Sequence, residues 1–144
     1  MIEFLHTADW HLGNSFSLFT KEENRELNTA RLRAIKELFI YANKLRIPLI
    51  LCAGDQIDRG ELRDKEELLN LFEVIREYSE IKVVMIAGNH DPFLPGNIYE
   101  RINESSFPPN LHLVTNREII ALPGIGVKIA ASSLQGKYGR ENPL

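Results

Sequence analysis

An α/β fold, a βαβαβ parallel sheet with flanking helices followed by the start of a second sheet, is what this sequence predicts. Three observations carry the prediction. Short apolar segments bounded by turn residues recur at residues 2–7, 48–53 and 81–87, which is the patterning of strands. The two stretches between them repeat apolar residues at helical spacing instead. The resulting order closes through two right-handed crossovers, so the three strands run parallel.

The first strand, residues 2–7, runs into "HTADWHLG". Residues 23–45 then predict an amphipathic helix whose apolar stripe is Leu27, Ala30, Ala34, Leu38, Ala42 and Leu45. Its Arg31, Arg33 and Lys36 read as a solvated face rather than a nucleic-acid patch. The second strand, 48–53, holds Cys52, the one cysteine of the chain. Set in "LILCA", it reads as a buried structural thiol, and alone it forms neither an internal disulfide nor a cysteine-based zinc site. Residues 64–80 predict a second helix, with Leu68, Leu71, Phe72 and Ile75 as its buried face. Acidic residues crowd its first turn, where the helix dipole favours them. The third strand, 81–87, ends in "AGNHDP". Residues 92–110 are rich in Pro, Gly, Asn and Ser and read as a loop with a short helix near 98–102. Residues 111–134 predict short antiparallel strands with a tight turn at 123–126. His6 and His112 lie inside strand-like runs and read as core or edge residues.

With 144 residues, 44% hydrophobic and 26% charged, the chain has the composition of one soluble globular domain. No apolar run approaches the roughly 20 residues that span a bilayer. The start, "MIEFLHTADW", lacks the basic and apolar regions of a signal peptide. A cytoplasmic protein with no membrane association is the expectation. The net charge of −3, without a lysine or arginine block, argues against gripping nucleic acid by charge alone. It leaves room for an enzyme that holds phosphate through metal ions.

In open α/β sheets the functional crevice lies at the carboxyl ends of the strands. Each predicted parallel strand here ends in ligand-type residues: Asp9 and His11, then Asp55 and Asp58, then Asn89, His90 and Asp91. Alone, "GNHD" is ordinary turn chemistry. Three such clusters at matching strand ends gather carboxylates that must protonate or meet a cation. Carboxylate, imidazole and amide oxygen together suit manganese, iron or zinc. The pattern predicts a dinuclear metal site.

At these residues the chain resembles the calcineurin-like metallophosphoesterase superfamily. Asp9-Trp10-His11 matches its D-x-H, Gly54-Asp55-Gln56-Ile57-Asp58 its G-D-x-x-D, and Gly88-Asn89-His90-Asp91 its G-N-H-D. Within the superfamily, "HTADWHLG" is similar to the Mre11/SbcD nuclease branch, which acts in double-strand-break repair. "GDQIDRG" also resembles the Ser/Thr protein phosphatases, but Leu12 and Asp91 stand where those carry glycine and glutamate.

The resemblance implies a two-sheet sandwich and a metal-dependent DNA nuclease. It implies two divalent ions, manganese first, with iron, zinc and magnesium as alternatives. Asp9 and His11 would hold one ion, Asp55 would bridge both, and Asn89 would bind the second through its amide oxygen. His90 would act as general acid, with Asp58 as the partner that fixes its tautomer. Asp91 is expected to shape the turn behind the ligands, and Trp10 to pack beneath the metal loop. Arg59 matches a phosphate-contacting arginine of the phosphatases, a role not expected to carry over. The full protein would act on DNA with a coiled-coil ATPase of the Rad50/SbcC type.

After His112 there is no histidine, so the later ligand histidine and the G-H-x-H that the resemblance assigns to both metals are absent, as is a capping domain. The chain is therefore expected to be the N-terminal portion of a nuclease domain, inactive or weak by itself. Residues 111–134 would begin the second sheet with exposed edges, which favours a homodimer. Two other functions are weighed beside this one: a metallophosphoesterase acting on small phosphodiesters or phosphoproteins, and a non-catalytic scaffold or dimerisation module.

Overall fold

The computed structural model describes residues 2–59 and 65–136. β1 (Leu5–Thr7), β2 (Leu49–Ala53), β3 (Lys82–Ile86) and β4 (Leu111–Val114) form one parallel sheet in the order β1-β2-β3-β4. The central strands read as continuous apolar runs because both of their faces are covered. Alternate residues point to opposite sides. Ile50, Cys52, Val83 and Met85 pack with α1 (Lys21–Lys44) and α2 (Lys65–Glu77). Leu49, Leu51, Val84 and Ile86 pack on the other side with β5 (Glu118–Leu122) and β6 (Val127–Ala131). The class predicted from the sequence is thus the class observed.

Thr20 starts α1. Its hydroxyl accepts from the Glu23 main-chain nitrogen while the Glu23 carboxylate accepts from Thr20 N at 2.7 Å, a capping box that satisfies two donors at once. The buried side of α1 is Ile35, Phe39 and Ala42, so the predicted stripe is corrected. Leu27 and Leu45 are exposed, and only Ala42 of that set is fully buried. Apolar residues occur on two sides of this helix, Ile40 and Tyr41 among the exposed ones, so periodicity alone fits two rotations about the axis. Packing decides between them through Phe39, which reaches Tyr78 with ring centroids 5.7 Å apart. Burying a phenylalanine this fully is worth roughly 1.5–3 kcal/mol.

α2 buries Leu68, Leu71, Phe72, Val74 and Ile75. Asp64, where the sequence places its start, lies outside the described residues. The basic face of α1 is dispersed: Lys36 pairs with Glu77 at 2.7 Å, and Arg31 donates to Asn14 O and Asn28 Oδ1. Burial pushes the Cys52 thiol well above its ordinary pKa, which leaves it without thiolate character.

Residues 111–114 are a second correction. They do not begin the second sheet but add β4 to the first, parallel to β3, with Ile86 opposite Val114. The chain gets there through α3 (Ile98–Arg101) and a 3-10 turn (Glu104–Ser106). Asn110 then fixes the entry. Its side-chain amide nitrogen donates to the carbonyls of Ile75, Tyr78 and Ile81, and its main-chain carbonyl accepts from Val83 N at 2.9 Å. β5 and β6 form the predicted antiparallel hairpin around residues 123–126, where Gly126 takes φ +76°. No helix among the described residues is long and apolar enough to cross a membrane.

Candidate metal centre

Beyond the last paired residues of β1 and β2, the two chains stay zipped together. Asp9 N donates to Gly54 O, His11 N to Asp55 O, Leu12 N to Gln56 O, and Asp58 N back to Leu12 O, all at 2.8–3.1 Å. Leu12 and Ile57, both with no exposed surface, bridge beneath and anchor the pair in the core. Under this restraint Asp9, His11 and Asp55 take left-handed backbone conformations, with φ +58°, +46° and +57°. Such conformations cost on the order of 1–3 kcal/mol each and persist only where surrounding bonds impose them. Here they coincide with three of the residues singled out as metal ligands.

The side chains converge. Ligand atoms of Asp9, His11 and Asp55 all lie within 4.8 Å of one another, and so do those of His11, Asp58 and His90. His11 Nε2 is 3.7 Å from Asp9 Oδ1, and its Nδ1 is 3.5 Å from Asp58 Oδ1. That Nδ1 is buried without a hydrogen-bond partner. The His11 and His90 rings meet edge to face, 4.7 Å between centroids.

Asp58 stands between the two imidazoles. Its carboxylate is 3.7 Å from His90 Nδ1, while its main-chain carbonyl is 3.0 Å from the same nitrogen. A carbonyl only accepts, so Nδ1 of His90 carries a proton in this contact, and Nε2 is the nitrogen outside it. Asn89 is exposed and lines an open cleft of about 710 Å³ with Asp58, Arg59, His90 and Asn14. Arg59 Nε lies 3.4 Å from Asp58 Oδ2. Three carboxylates and two imidazoles with one adjacent arginine form an electronegative, oxygen- and nitrogen-rich donor set. An orphaned buried imidazole nitrogen within it fits the same conclusion: these residues suit a divalent cation. His6 and His112 take no part in it. His6 is exposed on β1, and His112 Nε2 lies 3.2 Å from Glu118 Oε2, between β4 and β5. Trp10 packs against the core and donates to Thr7 Oγ1 at 2.7 Å.

The sequence model of calcineurin-like phosphoesterases matches residues 2–140. The chain belongs to the calcineurin-like phosphoesterase family. Among its relatives, the SbcD component of the nuclease SbcCD from Escherichia coli strain K12 is 31% identical over 91 residues, 62% of this chain and 21% of the relative. The SbcD proteins of Staphylococcus saprophyticus (33% over 93 residues, 62% and 23%) and Bacillus subtilis strain 168 (30% over 92 residues, 62% and 22%) are similar to it in the same way. They belong to the Mre11/SbcD branch to which "HTADWHLG" pointed. The match spans only about a fifth of their length.

In this member of the family, Asp91 does more behind the ligands than its place in the turn implies. It is almost fully buried and accepts five hydrogen bonds. Oδ1 takes Gly88 N at 2.7 Å and Asp55 N at 3.1 Å; Oδ2 takes Gln56 N, Ile57 N and the Tyr99 hydroxyl at 3.1, 3.2 and 2.5 Å. Asp55 returns the bond, its Oδ1 accepting from His90 N at 2.8 Å. Burial raises the Asp91 carboxyl above its ordinary pKa, opposed by the Tyr99 hydroxyl and by main-chain donors. Tyr99 was missed altogether, since nothing in the spacing of "GNIYERI" sets it apart. The cross-strap also depends on two glycines. A Cβ on Gly54 would lie 2.8 Å from the Gly88 Cα, and Gly54 takes φ +99°.

Proposed function

We propose that this chain carries part of the active centre of a metal-dependent DNA nuclease of the Mre11/SbcD type. The observation that supports this most is the convergence of Asp9, His11 and Asp55 within ligand distance, with Asp58 and His90 adjoining. Asp9, His11 and Asp55 would hold one divalent ion, and Asp55 and Asn89, the latter through its amide oxygen, would hold a second. Manganese is the first choice, with iron, zinc and magnesium behind it. What such ions supply when bound is polarisation of the phosphoryl oxygens and neutralisation of charge at the phosphorus. His90, its Nδ1–H held on the Asp58 carbonyl, would act through Nε2 as general acid toward the leaving oxygen when that nitrogen also carries a proton. In this reading residues 1–144 are the N-terminal portion of a phosphoesterase domain, working in the cytoplasm on DNA with a coiled-coil ATPase of the Rad50/SbcC type. The resemblance assigns further histidines to the same ions, so the affinity and turnover of this chain alone are expected to be low.

The test is cleavage of duplex DNA against cleavage of a simple aryl phosphodiester, each with added manganese. Preferential DNA cleavage is expected. Turnover of the aryl ester alone favours a small-phosphodiester enzyme, and no manganese binding at millimolar concentration favours a non-catalytic scaffold.

The dimer belongs to the same proposal. β5 and β6 pair with each other, and the outward face of the hairpin carries Ile119 at 73% exposure. Among the described residues the outer edges of β5 and β6 pair with no further strand; such edges recruit strands, and a second copy supplies them. Sedimentation is expected to show association that grows with concentration. A monomer at high concentration would count against it.

A further inference from the structure

We propose that Tyr99 is a positioning residue for the metal centre, holding the Asp55 loop and the Asn89–His90 loop at fixed spacing through the Asp91 carboxylate. The inference rests on the metal-centre reading above. Its starting observation is a buried polar group. Tyr99 is 3% exposed, and its hydroxyl bonds to Asp91 Oδ2. A phenylalanine would fill the same volume without bringing a hydroxyl out of water, and a buried hydroxyl is tolerated only when bonded.

α3 is built to deliver that hydroxyl. Asn97 caps it, accepting from Glu100 N at 3.0 Å while its own amide donates to Pro92 O at 2.9 Å. The chain after Asp91 is thereby folded back over the carboxylate. Ile98 and Ile102, both buried, seat the turn in the core. Tyr99 is also the one side-chain donor among the five groups on Asp91; the other four are main-chain nitrogens of the two ligand loops. Its bond fixes the rotation of the carboxylate plane, and with it where Asp55 N, Gln56 N and Ile57 N are held. Asp55 in turn grips His90 N. A displacement of the Asp91 plane therefore moves ligand atoms on both sides of the centre. Outer partners that orient metal ligands typically change affinity ten- to a hundredfold when removed.

Tyr99→Phe tests this, with Ile98→Val, a neighbouring core change on the same helix, as the control. Two readouts are taken: amide hydrogen exchange without metal, and affinity for manganese by calorimetry. In Tyr99→Phe, exchange at Asp55, Gln56, Ile57 and Gly88 is expected to rise about tenfold, and manganese affinity to fall about tenfold. Amides of α2 are expected to stay protected, showing the fold intact, and Ile98→Val to leave both readouts near the parent. Unchanged exchange in Tyr99→Phe, or the same change in Ile98→Val, would overturn the proposal. If the parent chain binds no manganese, the metal-centre reading fails, while the exchange comparison still decides whether Tyr99 sets the two loops.

Discussion

Asp55→Asn is expected to lose metal without losing the fold. Asparagine keeps the size of the side chain and one acceptor for His90 N, which Asp55 Oδ1 now holds at 2.8 Å. It also tolerates the left-handed conformation that Asp55 adopts better than most residues do. What it removes is a carboxylate charge within 4.8 Å of the ligand atoms of both Asp9 and His11. Manganese affinity should fall on the order of 100-fold or more, at or beyond the upper range for outer-shell partners. Without metal the sign reverses, because removing one carboxylate from a cluster of like charges relieves repulsion. The melting temperature in chelator should therefore match or exceed that of the parent. Added manganese should raise the melting temperature of the parent, as any ligand of the native state does, and leave the variant unmoved. Calorimetry and thermal melts with and without manganese measure both halves. A variant that binds manganese like the parent would remove Asp55 from the centre.

The candidate ligands at the strand ends could be picked out of the sequence, and the wiring behind them could not. Asp9, His11, Asp55, Asn89 and His90 announce themselves because each follows an apolar run, and parallel strands deliver their carboxyl ends to one edge. Asp58 was legible as a residue near His90. That its carboxylate also faces His11 at 3.5 Å depends on the left-handed turn at His11, and backbone conformation at a non-glycine residue leaves no mark in composition. Asp91 was legible only as a residue behind the ligands or within their turn; that four main-chain nitrogens converge on it depends on two loops far apart in sequence. Strand pairing failed at β4 for a related reason. Periodicity identifies a strand but not its neighbour, and Asn110, which sets the register, is an ordinary loop residue by type. The helix face of α1 failed because two sides were apolar enough to serve, and only the position of the sheet distinguishes them.

Gly88→Ala is expected to be the most damaging single-methyl change in the described part of the chain. A Cβ there would lie 2.5 Å from the Asp55 main-chain nitrogen and inside contact distance of its carboxylate. The obstruction is the Asp55 carboxylate together with its main-chain nitrogen; the nitrogen cannot rotate away, and the carboxylate would have to give up its bond from His90 N to do so. Gly54 faces the same gap from the other loop, its own Cβ position 2.8 Å from the Gly88 Cα, so neither side has slack to give. Relief requires the loops to separate, which pulls Gly88 N and Asp55 N off Asp91 Oδ1 and leaves a buried carboxylate short of donors. Overpacking alone costs about 1–3 kcal/mol, and the lost bonds place this case at the upper end, roughly a 10 °C fall in melting temperature for a chain of this size. Manganese binding should disappear with it, because the same separation moves Asp55 away from His90. Gly124→Ala is the control. No atom lies within 4 Å of a Cβ there, and its melting temperature should stay within a degree or two of the parent. The site explanation predicts loss of metal binding only at Gly88. A Gly88→Ala protein that melts normally and binds manganese would show that the two loops do not need their present closeness, and the role given to Asp91 would fall with it.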